Sequence, residues 1–311
     1  MPPYRRNPVT GRASIVAPVR RGRPNDFLAG GDHACPFCPG NESAIERVID
    51  SVPAPAAPGW LARAVANRFP IVAPPDGLHE VIVETPEHDR DLADLDDAAR
   101  RAVVALYRRR FAALAAAPGM AAVILFRNRG PRSGASLAHP HAQIIALRRA
   151  PPETLRRDRT ARGQVRRQGT CPICALAAGE RAQGGRIVED AGGFVALVPE
   201  AAEAPCETWI VPARHGGDFG AMTDAETDAF AGLLGRSLRR LRGARGDPDY
   251  NLMVLAPQHP AVARPEAHWF ARILPRTGGP AGFEIAAGLA VYASTAEADA
   301  RLLAMQPADA R

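Results

Sequence analysis

An internal duplication constrains this chain more than any other feature, because it demands a fold that can be built twice from one pattern. The run CPFC at Cys35 to Cys38 is followed by VIVETPEH ending at His88, a helical stretch, VILFRN, and the triplet His139-Pro140-His141. The run CPIC at Cys171 to Cys174 is followed in the same order by TWIVPARH ending at His215, a helical stretch, YNLMVLA, and His268-Trp269-Phe270. The offsets are 136 residues from Cys35 to Cys171, 127 from His88 to His215 and 129 from His139 to His268. Spacing this regular predicts two similar half-domains, 1–150 and 151–311, that differ by small loop insertions.

Local patterning gives each half the same elements. Asp96 to Leu114 carries Val103, Val104, Tyr107, Phe111 and Leu114 at helical spacing, and Thr223 to Leu241 opens on Thr-x-x-Glu, a capping box. Alternation and β-branched content predict strands at Val81 to Glu84, Val123 to Phe126, Gln143 to Leu147, Thr208 to Val211, Leu252 to Leu255 and Trp269 to Leu274. The expected class is α+β, each half a largely antiparallel sheet with packed helices. Pro151 to Gly169 is Arg-rich without apolar periodicity and reads as a link that holds at most a solvated helix.

Charge and composition narrow the function. The 311 residues are 46% hydrophobic, enough to bury a core, with a formal net charge of +6 carried by 39 Arg and no Lys. Lacking Lys, the chain cannot use a Lys nucleophile, a Schiff base or a phosphate-loop Lys. Met1 to Arg23 has no apolar stretch after its basic residues, so no secretory signal is expected. The uncharged run from Phe111 to Phe126 is broken by Pro118-Gly119, so no membrane span is expected either. The expected location is cytoplasmic, where five Cys stay reduced and paired Cys-x-x-Cys motifs serve metals rather than disulfides.

Zinc takes about four S or N ligands in tetrahedral array, and one Cys-x-x-Cys turn supplies two of them. In the first half His33, His79, His88, His139 and His141 are candidates for the rest. Only His88 and His139 have counterparts in the second half, His215 and His268. Two matching sets follow: Cys35, Cys38, His88 and His139; and Cys171, Cys174, His215 and His268. The rival reading of each pair is two buried thiols in a turn. A nucleic-acid zinc ribbon is excluded by spacing, since 133 positions separate Cys38 from Cys171, where ribbons join their pairs within about 15–20 residues. No nucleic-acid partner is expected.

His139 and His141 stand at i and i+2 of an extended segment and therefore project from one face. The second half has Phe270 in the place of His141 while keeping all four metal positions, so the metal site has no need of His141. A neutral imidazole held in this way is nucleophilic near pH 7. The alternatives are a metal-dependent hydrolase with His141 as an added ligand, and a zinc-stabilised binding module without catalysis.

The run NRGPRSGASLAHPHAQI at Asn128 to Ile144 resembles the galactose-1-phosphate uridylyltransferase family of the histidine-triad superfamily, in its two-zinc branch. CPFCPGNE at Cys35, ETPEH at Glu84, RRNPVTG at Arg5 and AGFEIAAG at Ala281 extend the resemblance over nearly the whole chain. It implies duplicated histidine-triad-like half-domains and a ping-pong reaction. His141 would attack the α-phosphorus of a nucleotide sugar and carry the nucleotide until a sugar phosphate takes it. UMP would move from UDP-glucose to galactose 1-phosphate. The alternative is an ADP-glucose or other nucleotide-sugar phosphorylase with inorganic phosphate as acceptor.

By the same resemblance Gln143 hydrogen-bonds a non-bridging phosphate oxygen, and Arg20, Arg23, Asn67, Asn128 and Ser136 contact phosphates or nucleotide. Gly130 and Gly134 would let backbone approach the ligand, and Glu284 would stand near the hexose. Two structural zinc ions per chain and a homodimer whose partner completes the site are implied as well. The chain departs from the family pattern at Phe270, at Thr277 to Pro280, where some members carry a Lys, and at Ala290, where they carry a Gln.

Overall fold

The computed structural model describes residues 4–27, 34–55 and 59–308. Two short strands, β1 (Tyr4–Arg6) and β2 (Ala13–Ile15), pair with each other. All others join one antiparallel sheet. The first half supplies β3 (Val48–Pro53), β4 (Trp60–Ala66), β5 (Gly77–Val83), β6 (Ala122–Arg129) and β7 (His141–Leu147). The second supplies β8 (Ile187–Ala191), β9 (Phe194–Leu197), β10 (Thr208–Pro212), β11 (Tyr250–Leu255) and β12 (Phe270–Pro275).

The strand order is β3-β4-β5-β7-β6-β11-β12-β10-β9-β8. Reading outward from the central β6–β11 pair, β7 corresponds to β12, β5 to β10, β4 to β9 and β3 to β8. His141 and Phe270 open corresponding strands, the equivalence the sequence repeat predicts. The join is an ordinary antiparallel ladder in which Asn128 pairs with Asn251 and Phe126 with Met253. The two halves thus satisfy each other's edge strands, which would otherwise expose unpaired backbone groups.

Helix α1 (Asp97–Ala115) begins where the Asp96 side chain accepts the Ala99 N–H. A later helix, Asp224–Arg245, opens on the Thr223/Glu226 capping box. Both pack on the same face of the sheet. One continuous core joins Val103, Tyr107 and Phe111 of α1 and Leu233 and Leu234 of that helix to Ile82, Ile144, Leu252 and Ile273.

The segment expected to be a link is instead a regular helix, α2 (Pro152–Gln168), followed by α3 (Pro172–Gln183); the Asp224–Arg245 helix is α4. α2 is not solvated all round: Asp158 is buried and accepts the Gln258 N–H, and Arg157 reaches the Ala256 carbonyl. Long Arg stems buried along their length hide such docking from an apolar-periodicity count. Helices α5 (Gly282–Ala287) and α6 (Ala296–Ala304) close the described chain.

Alternation along β7 separates two jobs. Ala142, Ile144 and Ala146 enter the core under the helices, so His141 and Gln143 point to the opposite face. On that face the halves differ. In the second half Ala177 of α3, with Ile173 and Leu176 beside it, packs on Val195, Leu197, Val211 and Phe270. Trp209 stacks on Phe270 with ring centroids 4.5 Å apart. In the second half the corresponding position therefore carries an apolar ring, Phe270, which with Trp209, Ile173, Arg157 and His268 borders a cleft of about 360 Å³.

Candidate active site and metal centres

Each Cys-x-x-Cys turn meets its two His as the repeat predicts. Around the first, Cys35 Sγ lies 3.5 Å from His139 Nδ1, and Cys38 Sγ lies 3.4 Å from His88 Nδ1 and 3.6 Å from His139 Nδ1. Around the second, Cys174 Sγ lies 3.4 Å from His215 Nδ1 and 3.3 Å from His268 Nδ1, with Cys171 Sγ 3.7 Å from His268 Nδ1. In each group the four ligand atoms fall within 4.8 Å of one another. A tetrahedron with Zn–S near 2.3 Å and Zn–N near 2.05 Å has an S···N edge of about 3.5 Å. Both groups match that edge.

The outer contacts agree. His139 Nε2 donates to the Thr85 carbonyl at 2.8 Å, His268 Nε2 to the Pro212 carbonyl at 3.1 Å and His215 Nε2 to the Arg264 carbonyl at 3.2 Å, which leaves each Nδ1 lone pair for an ion. Burial pushes the Cys35 and Cys174 thiols up to about 11, so a bound cation is what would hold these sulfurs as thiolates. Cys206 is fully buried, and burial pushes its thiol to about 12. His79 is not at a cluster, and His33 lies outside the described residues.

His141 sits two residues beyond His139 of the first Cys2His2 group, and its Nδ1 lies 2.8 Å from the His139 carbonyl. A carbonyl only accepts, so Nδ1 carries the hydrogen and Nε2 the lone pair. Burial, above all other influences, lowers the His141 pKa to about 4, and the ring is neutral at physiological pH. Phe37, inside the first Cys-x-x-Cys turn, packs against the ring at 5.4 Å between centroids.

His141 stands between two clefts. Arg23, Asn67, Phe37, Val81 and Gln143 line one of about 180 Å³ with it; Asn128, Arg129, Gly130, His139 and Asp249 line the other, of about 360 Å³. Together they reach the size of small-molecule sites. Among the described residues Arg20 and Arg23 make no ion pair. Burial and then Arg20 lower Arg23 to about 10, the signature of a cation pair without an anion. Arg20 also donates to the Phe69 carbonyl at 2.9 Å. The Ser136 hydroxyl is buried and has no hydrogen-bond partner among the described residues, which a ligand oxygen would supply.

Other expected residues are placed differently. Gly130 has φ +80°, and a Cβ there would fall 1.9 Å from Asp249 Oδ1, so it makes room for that carboxylate while its backbone borders the second cleft. Gly134, at φ +85°, would bring a Cβ into ordinary contact with Asn128 Nδ2, 3.9 Å away. Glu284 borders a separate cleft formed by Arg276, Thr277, Gly278 and Pro280, and neither His141 nor Gln143 lines it.

Three residues that sequence reasoning did not assign to the site also shape it. Asn251 donates to Asn128 Oδ1 at 2.8 Å and to the Ser133 carbonyl at 2.9 Å, fixing Asn128 from across the seam between halves. Arg127 anchors a buried network behind the active strand, donating to Glu84, Asp91 and the Tyr250 hydroxyl. His79 touches Gln143. The pairing of charged residues in ETPEH and FRN was the available signal for Arg127; nothing local pointed to Asn251.

Fold and site define a class: a duplicated α+β sheet protein with two Cys2His2 groups and one neutral histidine presented beside a cationic cleft. The N-terminal domain model of galactose-1-phosphate uridyl transferase matches residues 62–151. An ADP-glucose phosphorylase of Arabidopsis thaliana is 29% identical over 314 residues, 92% of this chain and 88% of that protein. A galactose-1-phosphate uridylyltransferase of Streptomyces lividans is 28% identical over 257 residues, 83% of this chain and 69% of that one. The crystal structure of an Arabidopsis thaliana ADP-glucose phosphorylase with bound ADP-glucose superimposes with a TM-score of 0.80 at 28% identity, covering 99% of this chain and 100% of that one. A solved uridylyltransferase gives 0.80 at 26% identity and 97% of each chain. By this domain model and these relatives the chain is similar to galactose-1-phosphate uridylyltransferases and to an ADP-glucose phosphorylase.

Proposed function

We propose that this protein transfers a nucleotidyl group in two half-reactions through His141. The observation that carries the reading is the tautomer: Nδ1–H held by the His139 carbonyl aims the Nε2 lone pair out of the strand end, between the two clefts. Nε2 attacks the α-phosphorus and an N–P bond forms. The bond from that phosphorus to the bridging oxygen breaks, and its electron pair leaves with the sugar 1-phosphate. No proton has to move, because Nδ1–H stays in place and the His139 carbonyl faces the positive charge that the ring acquires. An acceptor phosphate oxygen then attacks the same phosphorus and restores the Nε2 lone pair.

In the first reading the nucleotide is UMP, taken from UDP-glucose and given to galactose 1-phosphate. The second keeps the chemistry with a nucleotide sugar such as ADP-glucose as donor and inorganic phosphate as acceptor. Its support is similarity to an ADP-glucose phosphorylase over 92% of the chain. Arg20, Arg23 and Ser136 suit the phosphates in either case, and Gln143 the oxygen on which charge develops. Zinc at Cys35, Cys38, His88 and His139, and at Cys171, Cys174, His215 and His268, would be structural, fastening the Cys turns to the sheet.

A homodimer suits the C-terminal segment, where Phe283, Ile285, Leu289 and Val291 are all exposed beside Glu284. A partner's cleft would bury them and bring Glu284 to the hexose. No helix of the described residues is long and apolar enough to cross a membrane. The reducing cytoplasm suits five unpaired cysteines.

The test is incubation of the purified protein with labelled UDP-glucose or ADP-glucose, followed by isolation of an acid-labile nucleotidyl-protein. A matrix of hexose 1-phosphates and inorganic phosphate as acceptors then separates the two readings. Failure of both nucleotide sugars to label the wild-type protein would overturn the proposal.

Metal removal tests the structural role separately. Elemental analysis is expected to find two zinc per chain, and stripping them with a strong chelator is expected to cost several kcal/mol of folding stability, read as a lowered urea midpoint. Because the ligands must shed protons to bind, the same loss should appear without chelator as the pH is lowered. An unchanged midpoint after complete stripping would remove zinc from the fold.

A further inference from the structure

Nucleotidyl transfer at His141 needs Gln143 to present N–H donors, not its carbonyl oxygen, to a phosphate oxygen, and a primary amide has no intrinsic preference between its two ends. We propose that His79 is the positioning residue that makes this choice: as an obligate donor at Nε2 it captures the Gln143 carbonyl and turns the amide N–H groups toward the phosphate. The inference rests on the nucleotidyl-transfer reading of His141 and deepens it.

Three neighbours hold the buried His79 ring: Ile71, Gln143 and Asn67. The backbone N–H of Ile71 points at His79 Nδ1 at 2.9 Å. A backbone N–H can only donate, so Nδ1 is the unprotonated nitrogen and the single ring hydrogen is on Nε2. Nε2 lies 3.0 Å from Gln143 Oε1, and that hydrogen goes to the Gln143 carbonyl. Both side chains are buried, so an amide turned the other way would oppose two donors without water to separate them.

Asn67 Nδ2 is a further donor, 3.0 Å from His79 Nε2 and 3.5 Å from Nδ1. An atom so nearly equidistant from both ring nitrogens lies over the ring face, because an in-plane bond to Nε2 would put Nδ1 much farther away. It therefore does not compete for the Nε2–H direction, and its contact is of the N–H to π kind. Asn67 is itself fixed, since its Oδ1 accepts the Phe69 N–H at 2.8 Å. Burial, the largest influence, lowers the His79 pKa to about 4, consistent with a ring that stays singly protonated.

The duplicated half repeats the contact with other chemistry. Val81 pairs with Gln143 and Trp209 with Arg272, so the positions of His79 and Gln143 correspond to Glu207 and Arg272. There Arg272 Nη2 donates to Glu207 Oε2 at 3.0 Å, an ion pair beside the inert Phe270. The two positions touch in both halves, and only the half with a nucleophile makes the pair neutral with a defined donor direction.

Two substitutions separate orientation from folding. His79→Asn keeps an acceptor near Nδ1 for the Ile71 N–H but loses the Nε2 donor; His79→Gln puts an amide donor near Nε2 but loses the acceptor for Ile71. Single-turnover labelling with the nucleotide sugar that labels the wild type, binding affinity and thermal midpoint are measured for all three proteins. The expected result for His79→Asn is adduct formation slowed about 100-fold, as for loss of one oxyanion donor, with affinity and midpoint near wild type. His79→Gln is expected to label at nearly the wild-type rate with a lowered midpoint. Wild-type rate in His79→Asn, or rates that fall in both variants in step with their midpoints, would overturn the assignment. Absence of adduct in the wild type would instead overturn the nucleotidyl-transfer reading itself.

Discussion

Replacing His141 with Asn is expected to abolish the nucleotidyl adduct and to lower turnover by about five to six orders of magnitude, the scale seen when a covalent nucleophile is removed. Asn can keep the bond from its amide N–H to the His139 carbonyl, where His141 Nδ1 now sits at 2.8 Å, so the strand start should hold its shape. What it cannot supply is an unshared pair at the Nε2 position. His141 is outside both Cys2His2 groups, so the variant should retain two zinc per chain and its thermal midpoint. Nucleotide-sugar binding, which draws on Arg20, Arg23 and the cleft walls, should change little. Mass spectrometry of labelled protein, elemental analysis and calorimetry check the three parts. An adduct that survives the substitution would move the nucleophile elsewhere, and loss of one zinc with activity would favour a metal-dependent hydrolase.

The largest effect on stability is expected at Arg127. It is 2% exposed and donates to Glu84 Oε1 and Oε2 at 3.0 and 2.8 Å, to the Tyr250 hydroxyl at 2.8 Å, and to Asp91. Glu84 is fully buried and is held from its other side by the Tyr107 hydroxyl. Arg127→Met keeps the apolar stem and removes the charge, leaving two buried carboxylates without their shared cation. Removal of one partner from such a pair costs about 3–5 kcal/mol.

The variant should also enlarge the pH response that the raised Glu84 already contributes. Burial is the largest influence on Glu84 and raises its pKa even beside Arg127; with that cation gone, the Tyr107 hydroxyl is left to oppose it. The folded variant then binds protons that the unfolded chain releases, so its stability should rise as pH falls from 7 towards 5. Adding Glu84→Gln should recover part of the loss. Urea midpoints across that pH range decide the matter; a cost below about 1 kcal/mol, the scale of an exposed pair, would mean that water reaches the network.

The site was unevenly legible. Cys2His2 membership could be read because duplication supplies its own control: His88 and His139 have partners at matching offsets, and His141 does not. His79 could not be read as functional, because its role depends on an N–H from Ile71 and a carbonyl from Gln143, residues 8 and 64 positions away. Asn251 was invisible for the same reason; it acts on Asn128 only because β6 and β11 are neighbours. That Gly130 also makes room for the Asp249 carboxylate was not legible, because the contact joins residues 119 positions apart. α2 was read as a link because its docking uses Arg157 and Asp158, polar groups that a hydrophobic pattern does not count.

What is local or repeated was legible in the chain alone: the duplicated unit, the two Cys2His2 groups, the capped helices, the i, i+2 placement of His141 and Gln143 on one face, and the absence of Lys chemistry. Tertiary structure alone decided what surrounds the two corresponding positions. In the second half α3 and Trp209 pack on Phe270, which borders one cleft, whereas in the first half two clefts flank the imidazole of His141. The tautomers were decided there too, by which carbonyl or N–H the fold sets against each ring. Both are long-range outcomes, since strand pairing and hydrogen-bond direction join residues far apart in the chain, and direction determines whether an imidazole donates, ligates or attacks.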